Sequence, residues 1–335
     1  MRFGTGFPIV KAVPNPEPPP FRKCGASGVL LPAVTLGLWH NFGAGDDPVR
    51  ARKILLRAWE LGVTHFDLAN NYGLPKGSAE VTFGKILKKE LKGERDRMFI
   101  STKAGYRMWE GPYGDGGSRK YLVTSCDQSL RRMGLDYVDL FYSHRFDPET
   151  PLEETMGALD YLVRSGRALY VGISSYDPEQ TRRAASLLRQ LGTPCLIHQP
   201  SHHLLDRWIE KGLTTVLREE KIGCAIFSPL AQGILAGKYF AGIPKDSRAG
   251  SKHGWLRPKD VTEEKLQKAR LLEELARTRG QTLAEFAISW TLRDPVVSTA
   301  IFGASRPHHV DEAVQAAART QFSRDELDRI DTITG

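Results

Sequence analysis

Four side chains in this sequence could together hand a proton to a carbonyl oxygen: Asp67, Tyr72, Lys103 and His144. A tyrosine hydroxyl, with an ordinary pKa of about 10, is a poor acid unless a neighbouring cation lowers that value. Lys103 would be the cation, a carboxylate at Asp67 would keep it protonated in a partly buried pocket, and His144 could hydrogen-bond the carbonyl oxygen. Singly, a lysine or tyrosine in such a place is commonly a solvated rim residue. Their joint placement carries the reading. Asp67 lies in the apolar run VTHFDLA with Asn70, Asn71 and Tyr72 just beyond, Lys103 closes MFISTKA, and His144 closes YVDLFYSH.

Those runs belong to a longer pattern that must position them. Eight short segments rich in β-branched residues alternate with stretches of helical periodicity: VTLGLW (34–39), VTHFDLA (63–69), MFISTKA (98–104), YVDLFYSH (137–144), ALYVGISS (168–175), CLIHQ (195–199), GCAIFSP (223–229) and STAIFG (298–303). The helical partners include VRARKILLRAWELG, SAEVTFGKILKKEL, SRKYLVTSCDQSLRRMG, PLEETMGALDYLVRSG, PEQTRRAASLLRQLG, residues 206–221 and AEFAISWTLRD, several ending in Gly as helices do. Strand-then-helix alternation is the signature of a parallel sheet with crossover helices, and eight units closing on themselves make an α/β fold, the (β/α)8 TIM barrel. FRKCGASGVLLPAVTL predicts an N-terminal β-hairpin plug. The interval 230–297 holds a long loop and a further helix over 262–279, read as an insertion on the barrel between strands 7 and 8 rather than a second core. A proline-rich arm over 1–20 would precede a single barrel domain over 21–335. Because barrel sites lie where strands end, Ser174, Ser175, Gln199, Ser228, Gly303, Ser305 and Arg306 join the candidates.

Lys and Arg outnumber Asp and Glu by 47 to 39, a net charge of +8 that would suit an anionic partner. The cations are dispersed over helix faces without a basic run, so nucleic-acid binding is not expected. Cys24, Cys126, Cys195 and Cys224 form no Cys-x-x-Cys, and Pro200 prevents a helix from aligning His198 with His202, so no metal site is expected. Reduced thiols and the lack of an export signal in MRFGTGFPIV fit the cytoplasm, and no run approaches the length of about 18 apolar residues that a membrane span needs. GPYGDGGSRK has Gly117 where a nucleotide-hydrolase loop requires lysine. It reads as a flexible lid ending in an N-cap at Ser118, or as a loop that, with Arg107 or Arg119, favours a substrate phosphate.

HFDLANNYG, ISTKAGY, YSHRFD, GISSY, FSPLAQGILAGKY and FGASR, in this order, resemble the successive motifs of the aldo-keto reductase superfamily. GLWHNFG, GPYGDGGSRKYL and YVDLFYSHRFDPETPLEETMGAL resemble its bacterial L-glyceraldehyde 3-phosphate reductase branch, itself akin to potassium-channel β-subunits. The resemblance implies metal-free reduction of a small aldehyde, such as glyceraldehyde 3-phosphate or methylglyoxal, by NADPH that binds first. It implies Tyr72 as general acid, Asp67 and Lys103 as the pair that lowers its pKa, and His144 as the residue orienting the carbonyl. Trp39 would lie beside the nicotinamide ring and the substrate, Ser174, Ser175 and Gln199 would hold the carboxamide, and Phe227 would stack on the ring. Ser228, Leu230, Gln232 and Lys238 would clamp the pyrophosphate, with Arg248 on the loop that folds over it. Ser305 and Arg306, just after Gly303, would open a helix N-terminus suited to a 2′-phosphate. Two departures stand out. His309 and Ala313 replace the usual Gln and Asn around the adenine while Glu312 remains, which implies a weaker hold on NADPH or a looser preference for NADP over NAD; His202 and His203 replace the branch's Tyr-Asn. Channel β-subunits keep the barrel and bound NADPH while serving as partners, so a regulatory, partner-binding barrel is the second reading. Relatives associate through barrel helices, which implies a homo-oligomer, tetramer or octamer.

Overall fold

The computed structural model describes residues 16–245, 247–250 and 256–335, and in it the eight runs are the eight strands of one closed barrel. A hairpin of β1 (Phe21–Lys23) and β2 (Leu30–Pro32) precedes β3 (Val34–Gly37), β4 (His65–Asp67), β5 (Phe99–Ala104), β6 (Val138–Ser143), β7 (Ala168–Ser174), β8 (Cys195–Gln199), β9 (Gly223–Phe227) and β10 (Val297–Phe302). The barrel closes in the order β10-β3-β4-β5-β6-β7-β8-β9, every pairing parallel. Among the described residues the helices are α1 (Pro48–Glu60), α2 (Ser78–Glu90), α3 (Arg119–Met133), α4 (Leu152–Arg164), α5 (Pro178–Gln190), α6 (Leu213–Glu219), α7 (Glu263–Thr278), α8 (Leu283–Thr291), α9 (His308–Ala317) and α10 (Arg324–Thr334). None is long and apolar enough to cross a membrane.

Local chemistry fixes the helix starts. Asp47 accepts from Val49 and Arg50 N–H ahead of α1, Ser118 accepts from Tyr121 N–H ahead of α3, and Asp177 with Gln180 and Thr282 with Glu285 form reciprocal capping boxes. The strands alternate. Leu36, Phe66, Ile100 and Phe141 join the helices in the main core, whereas Leu140, Tyr142, Ile197, Ala225 and Ile301 cluster with Cys24 and Leu31 of the hairpin. The hairpin is therefore a plug, as the sequence predicts.

Three features differ from expectation. Residues 206–221 are not one helix: a tight turn over Trp208–Glu210 is separated from α6 by Gly212, whose φ of 109° no helix admits. The insertion does carry a core. Leu235, Tyr239, Leu266, Leu272, Leu275, Phe286, Trp290 and Ile330 form a buried cluster apart from the barrel wall, uniting the long loop with α7, α8 and the unanticipated α10. The glycine-rich segment is docked against Asp147, which accepts from Gly117 N–H at 2.7 Å, rather than hanging as a lid. A Cβ on Gly116 would lie 2.6 Å from Asp147 Oδ2, so close approach explains the glycine. Of the proline-rich arm, residues 1–15 lie outside the described residues, as do 246 and 251–255 of the long loop.

Candidate active site

Period-two alternation turns Asp67 of β4 and Lys103 of β5 into the barrel, where their side chains are 2% and 0% exposed and Lys103 Nζ donates to Asp67 Oδ2 at 2.6 Å. Lys103 Nζ also donates to the Leu68 carbonyl oxygen at 2.6 Å and reaches the Tyr72 hydroxyl at 3.4 Å. Tyr72 rides on the turn after β4, its carbonyl accepting from Gly77 and Ala79 N–H. Gly73 makes that turn possible: its φ is 80°, and a Cβ there would stand 2.5 Å from Ser78 Oγ. His144 follows β6, its ring 5.9 Å edge-on from Tyr72 and 4.8 Å from Tyr106, while Trp39 stacks over Tyr72 at 6.1 Å. The four expected residues thus meet at the C-terminal ends of three adjacent strands.

The electrostatics correct one expectation. The surrounding protein raises the Tyr72 pKa well above its ordinary value by desolvation, with Asp67 and Tyr106 adding to the rise, although one edge of the ring stays open to solvent. Lys103, paired with Asp67 at 2.6 Å, offsets the cost of a phenolate only in part and does not reverse the rise. Burial also lowers the Lys103 pKa against the opposing pull of Asp67. Desolvation first, then Lys103 and Arg145, hold His144 well below its usual range. The phenol is therefore protonated and the imidazole neutral, the two donor forms that a carbonyl oxygen requires.

Other residues around the set were passed over. Ser101, two positions before Lys103 on the same strand face, donates to Asp67 Oδ1 at 2.7 Å, and period two could have found it. Gln199 donates to that same oxygen at 3.2 Å, and Ser174 donates to the Gln199 carbonyl at 2.8 Å, tying two residues expected at the carboxamide to the Asp67 carboxylate. Arg107 is exposed on the rim and pairs with Glu110 at 3.4 Å, away from the set. Arg119 lies on α3 and donates to Gly157 O at 3.2 Å. Arg145, which with Lys103 acts on His144, is stacked over Tyr106 at 5.2 Å and bonded to Asp115 at 3.0 Å.

Across the mouth, Ser175, Ser228 and Gln232 all hold left-handed backbone, with φ of 58°, 57° and 55°. Phe227 ends β9, Leu230 is partly buried, Lys238 is exposed, and Gln232 Oε1 is buried with no hydrogen-bond partner among the described residues. Arg248 folds back to within 3.0 Å of where a Gly303 Cβ would be, and burial lowers its pKa. A desolvated guanidinium on one side of the mouth and a buried, unbonded amide oxygen on the loop fit a phosphorylated nucleotide. At the start of α9, Arg306 is exposed and Ser305 N–H donates to His309 Nδ1 at 3.2 Å, so that helix-end donor is already engaged. Burial, then Glu285 and Asp311, raises the Glu312 pKa despite His308, and Ala313 is buried.

His202 and His203 have structural places. His202 packs on Trp290 with ring centroids 5.0 Å apart and lies 3.5 Å from Glu210, which Arg207 and Arg293 also bind; His203 Nδ1 accepts from Leu205 N–H. Among the described residues no group of three or more His, Cys, Asp or Glu side chains is placed to hold a metal ion.

A parallel eight-stranded barrel with an Asp–Lys pair, a protonated phenol and a neutral imidazole at its mouth defines a class of carbonyl oxidoreductases. The profile of the Aldo/keto reductase family matches residues 33–334, and the chain belongs to that family of nicotinamide-nucleotide-dependent oxidoreductases. It is 56% identical over 315 residues to L-glyceraldehyde 3-phosphate reductase of Escherichia coli K12, covering 93% of this chain and 91% of that protein. The O157:H7 protein of the same name is 55% identical over the same span. A Schizosaccharomyces pombe protein, named provisionally as a voltage-gated potassium channel subunit beta, is 35% identical over 90% of this chain and 89% of its own.

Proposed function

We propose that this protein reduces small aldehydes with NADPH, glyceraldehyde 3-phosphate and methylglyoxal among them, as a homo-oligomeric (tetrameric or octameric) enzyme of the cytoplasm. The observation that carries the reading is the protonated Tyr72 hydroxyl 3.4 Å from Lys103 Nζ, with the neutral His144 ring beside it. The nicotinamide nucleotide, when bound, supplies the hydride. His144 orients the carbonyl oxygen by donating an N–H, and Tyr72 Oη gives that oxygen its proton. Lys103 then neutralises the phenolate left behind, which tunes the acid through its product when burial disfavours ionisation. Trp39 would wall the reacting centre, and Ser174, Ser175, Gln199 and Phe227 would hold the ring and carboxamide. Ser228, Leu230, Gln232, Lys238 and Arg248 would hold the phosphates, and Gly303, Ser305, Arg306, His309 and Glu312 the adenosine end. A substrate phosphate would meet Arg145 in competition with Asp115, rather than the outward-facing Arg107.

Oxidation of NADPH followed at 340 nm with a panel of aldehydes tests this, wild type beside Tyr72→Phe. Turnover that falls by about 100-fold or more in the variant, with unchanged nucleotide affinity, is expected of a lost proton donor. Tight NADPH binding without turnover on any aldehyde would favour the partner-binding reading instead.

A further inference from the structure

Behind Asp67, inside the barrel, Ser101 continues into a hydrogen-bonded file of four buried side chains. Thr299 Oγ1 and Thr35 Oγ1 are 2.8 Å apart, Thr35 Oγ1 and His65 Nδ1 are 2.8 Å apart, and His65 Nε2 and Ser101 Oγ are 3.0 Å apart. Ser101 Oγ then lies 2.7 Å from Asp67 Oδ1. Thr35, His65, Ser101 and Thr299 are all 0% exposed, so no water completes their bonding from outside.

Donor arithmetic fixes the direction of every bond. The Asp67 carboxylate, paired with the Lys103 ammonium, can only accept. The one hydroxyl hydrogen of Ser101 therefore goes to Asp67, the alternative Phe66 carbonyl being 3.5 Å away. With that hydrogen committed, Ser101 Oγ must accept from His65 Nε2, which makes Nε2 the protonated nitrogen. Nδ1 then carries a lone pair and accepts from Thr35, whose oxygen accepts in turn from Thr299. A doubly protonated ring would reverse the threonines and put a second cation beside Lys103. Burial, only partly opposed by Asp67 and reinforced by Lys103, holds the His65 pKa at about 4. The remaining ring contact is the edge of Phe99, 4.9 Å away, which adds no charge.

We infer that His65 is a positioning residue, locked as the neutral Nε2–H tautomer, that aligns a one-way file of donors from Thr299 to Asp67 Oδ1 and so fixes the carboxylate with its other oxygen committed to Lys103. The file acts on the reaction only through Asp67 and Lys103, and that consequence rests on the proposed role of Tyr72. Without the file, the Asp67 carboxylate is free to turn from Lys103, and the ammonium, already disfavoured by burial and held up by that carboxylate, is lost at lower pH.

Two measurements test it independently. Nitrogen-15 spectra of the wild type, with the His65 ring assigned by its disappearance in His65→Gln, are expected to show Nε2 protonated and Nδ1 bare from neutral pH down to about pH 5. An Nδ1–H or cationic ring in that range overturns the assignment, whether or not any aldehyde is reduced. In the second, His65→Leu is expected to move the basic limb of kcat/KM toward lower pH by about one unit, while His65→Gln, which still offers Ser101 an N–H, restores most of it. A folded His65→Leu protein with an unmoved limb would leave His65 a packing residue and overturn the positioning role.

Discussion

Arg248 is the long-loop side chain on which a bound nucleotide's pyrophosphate would lean most. Burial lowers its pKa, whereas Lys238 is solvated and Ser305 N–H is engaged by His309. Truncation as Arg248→Ala is expected to weaken NADP+ and NAD+ binding alike by about 10- to 100-fold, the scale of a charge-assisted hydrogen bond, because both carry the pyrophosphate. Fluorescence titration with both nucleotides checks it; a loss confined to NADP+ would place the guanidinium at the 2′-phosphate instead. The same scale shows what the sequence concealed. Asp67, Lys103 and His144 sit at strand ends, where polar residues interrupt apolar runs, and so were legible. Ser101, His65, Thr35 and Thr299 lie within runs scored as apolar, and only their shared inner face makes them a set.

Elements were legible wherever local pattern and local packing coincide. All eight strands follow from apolar runs, and the helices that cover them end near their glycines. The helix over 206–221 broke because a single left-handed glycine outweighs a periodic pattern around it. Helix α10 was missed because RDELDRIDTIT shows few apolar positions, although Ser323 and Glu326 form a capping box at its start. The satellite core was illegible for a different reason: its members come from chain segments far apart, and no window of sequence contains them. Two element-scale outcomes follow. Gly73→Ala forces a Cβ onto Ser78 and Ala79 at positive φ, so the Tyr72 turn must shift; kcat is expected to fall more than stability, which drops by about 1–3 kcal/mol. Phe286→Ala empties a fully buried site in the satellite core and is expected to lower unfolding free energy by about 3–5 kcal/mol in urea titration.

For the whole molecule, acid is the condition to which the fold should be most sensitive. Burial holds His40, His65, His202, His203 and His309 at about 4 and His198 at about 3, all below the ordinary 6.5. A folded pKa below the unfolded one means the unfolded chain binds more protons between those values. Stability is therefore fully present above pH 6.5 and is lost as pH falls toward 4, by about 1.4 kcal/mol per pH unit for each histidine fully engaged. Urea midpoints across pH 4–8 check this, and a flat profile between 6.5 and 5 would show these rings titrating normally.

The last helix has a mechanical role that its distance from the mouth disguises. Ile330 is buried in the satellite core with Leu235 and Tyr239 of the loop that carries Gln232, Lys238 and Arg248, and α10 is tied down by Arg279 to Glu326 at 2.7 Å, Arg207 to Asp331 at 2.6 Å, and Lys268 to Thr334 O at 3.1 Å. On the proposed function it would be a buckle on the strap over the nucleotide seat. Loosening it lets the strap slacken while the staves of the barrel, packed in their own core, stay standing.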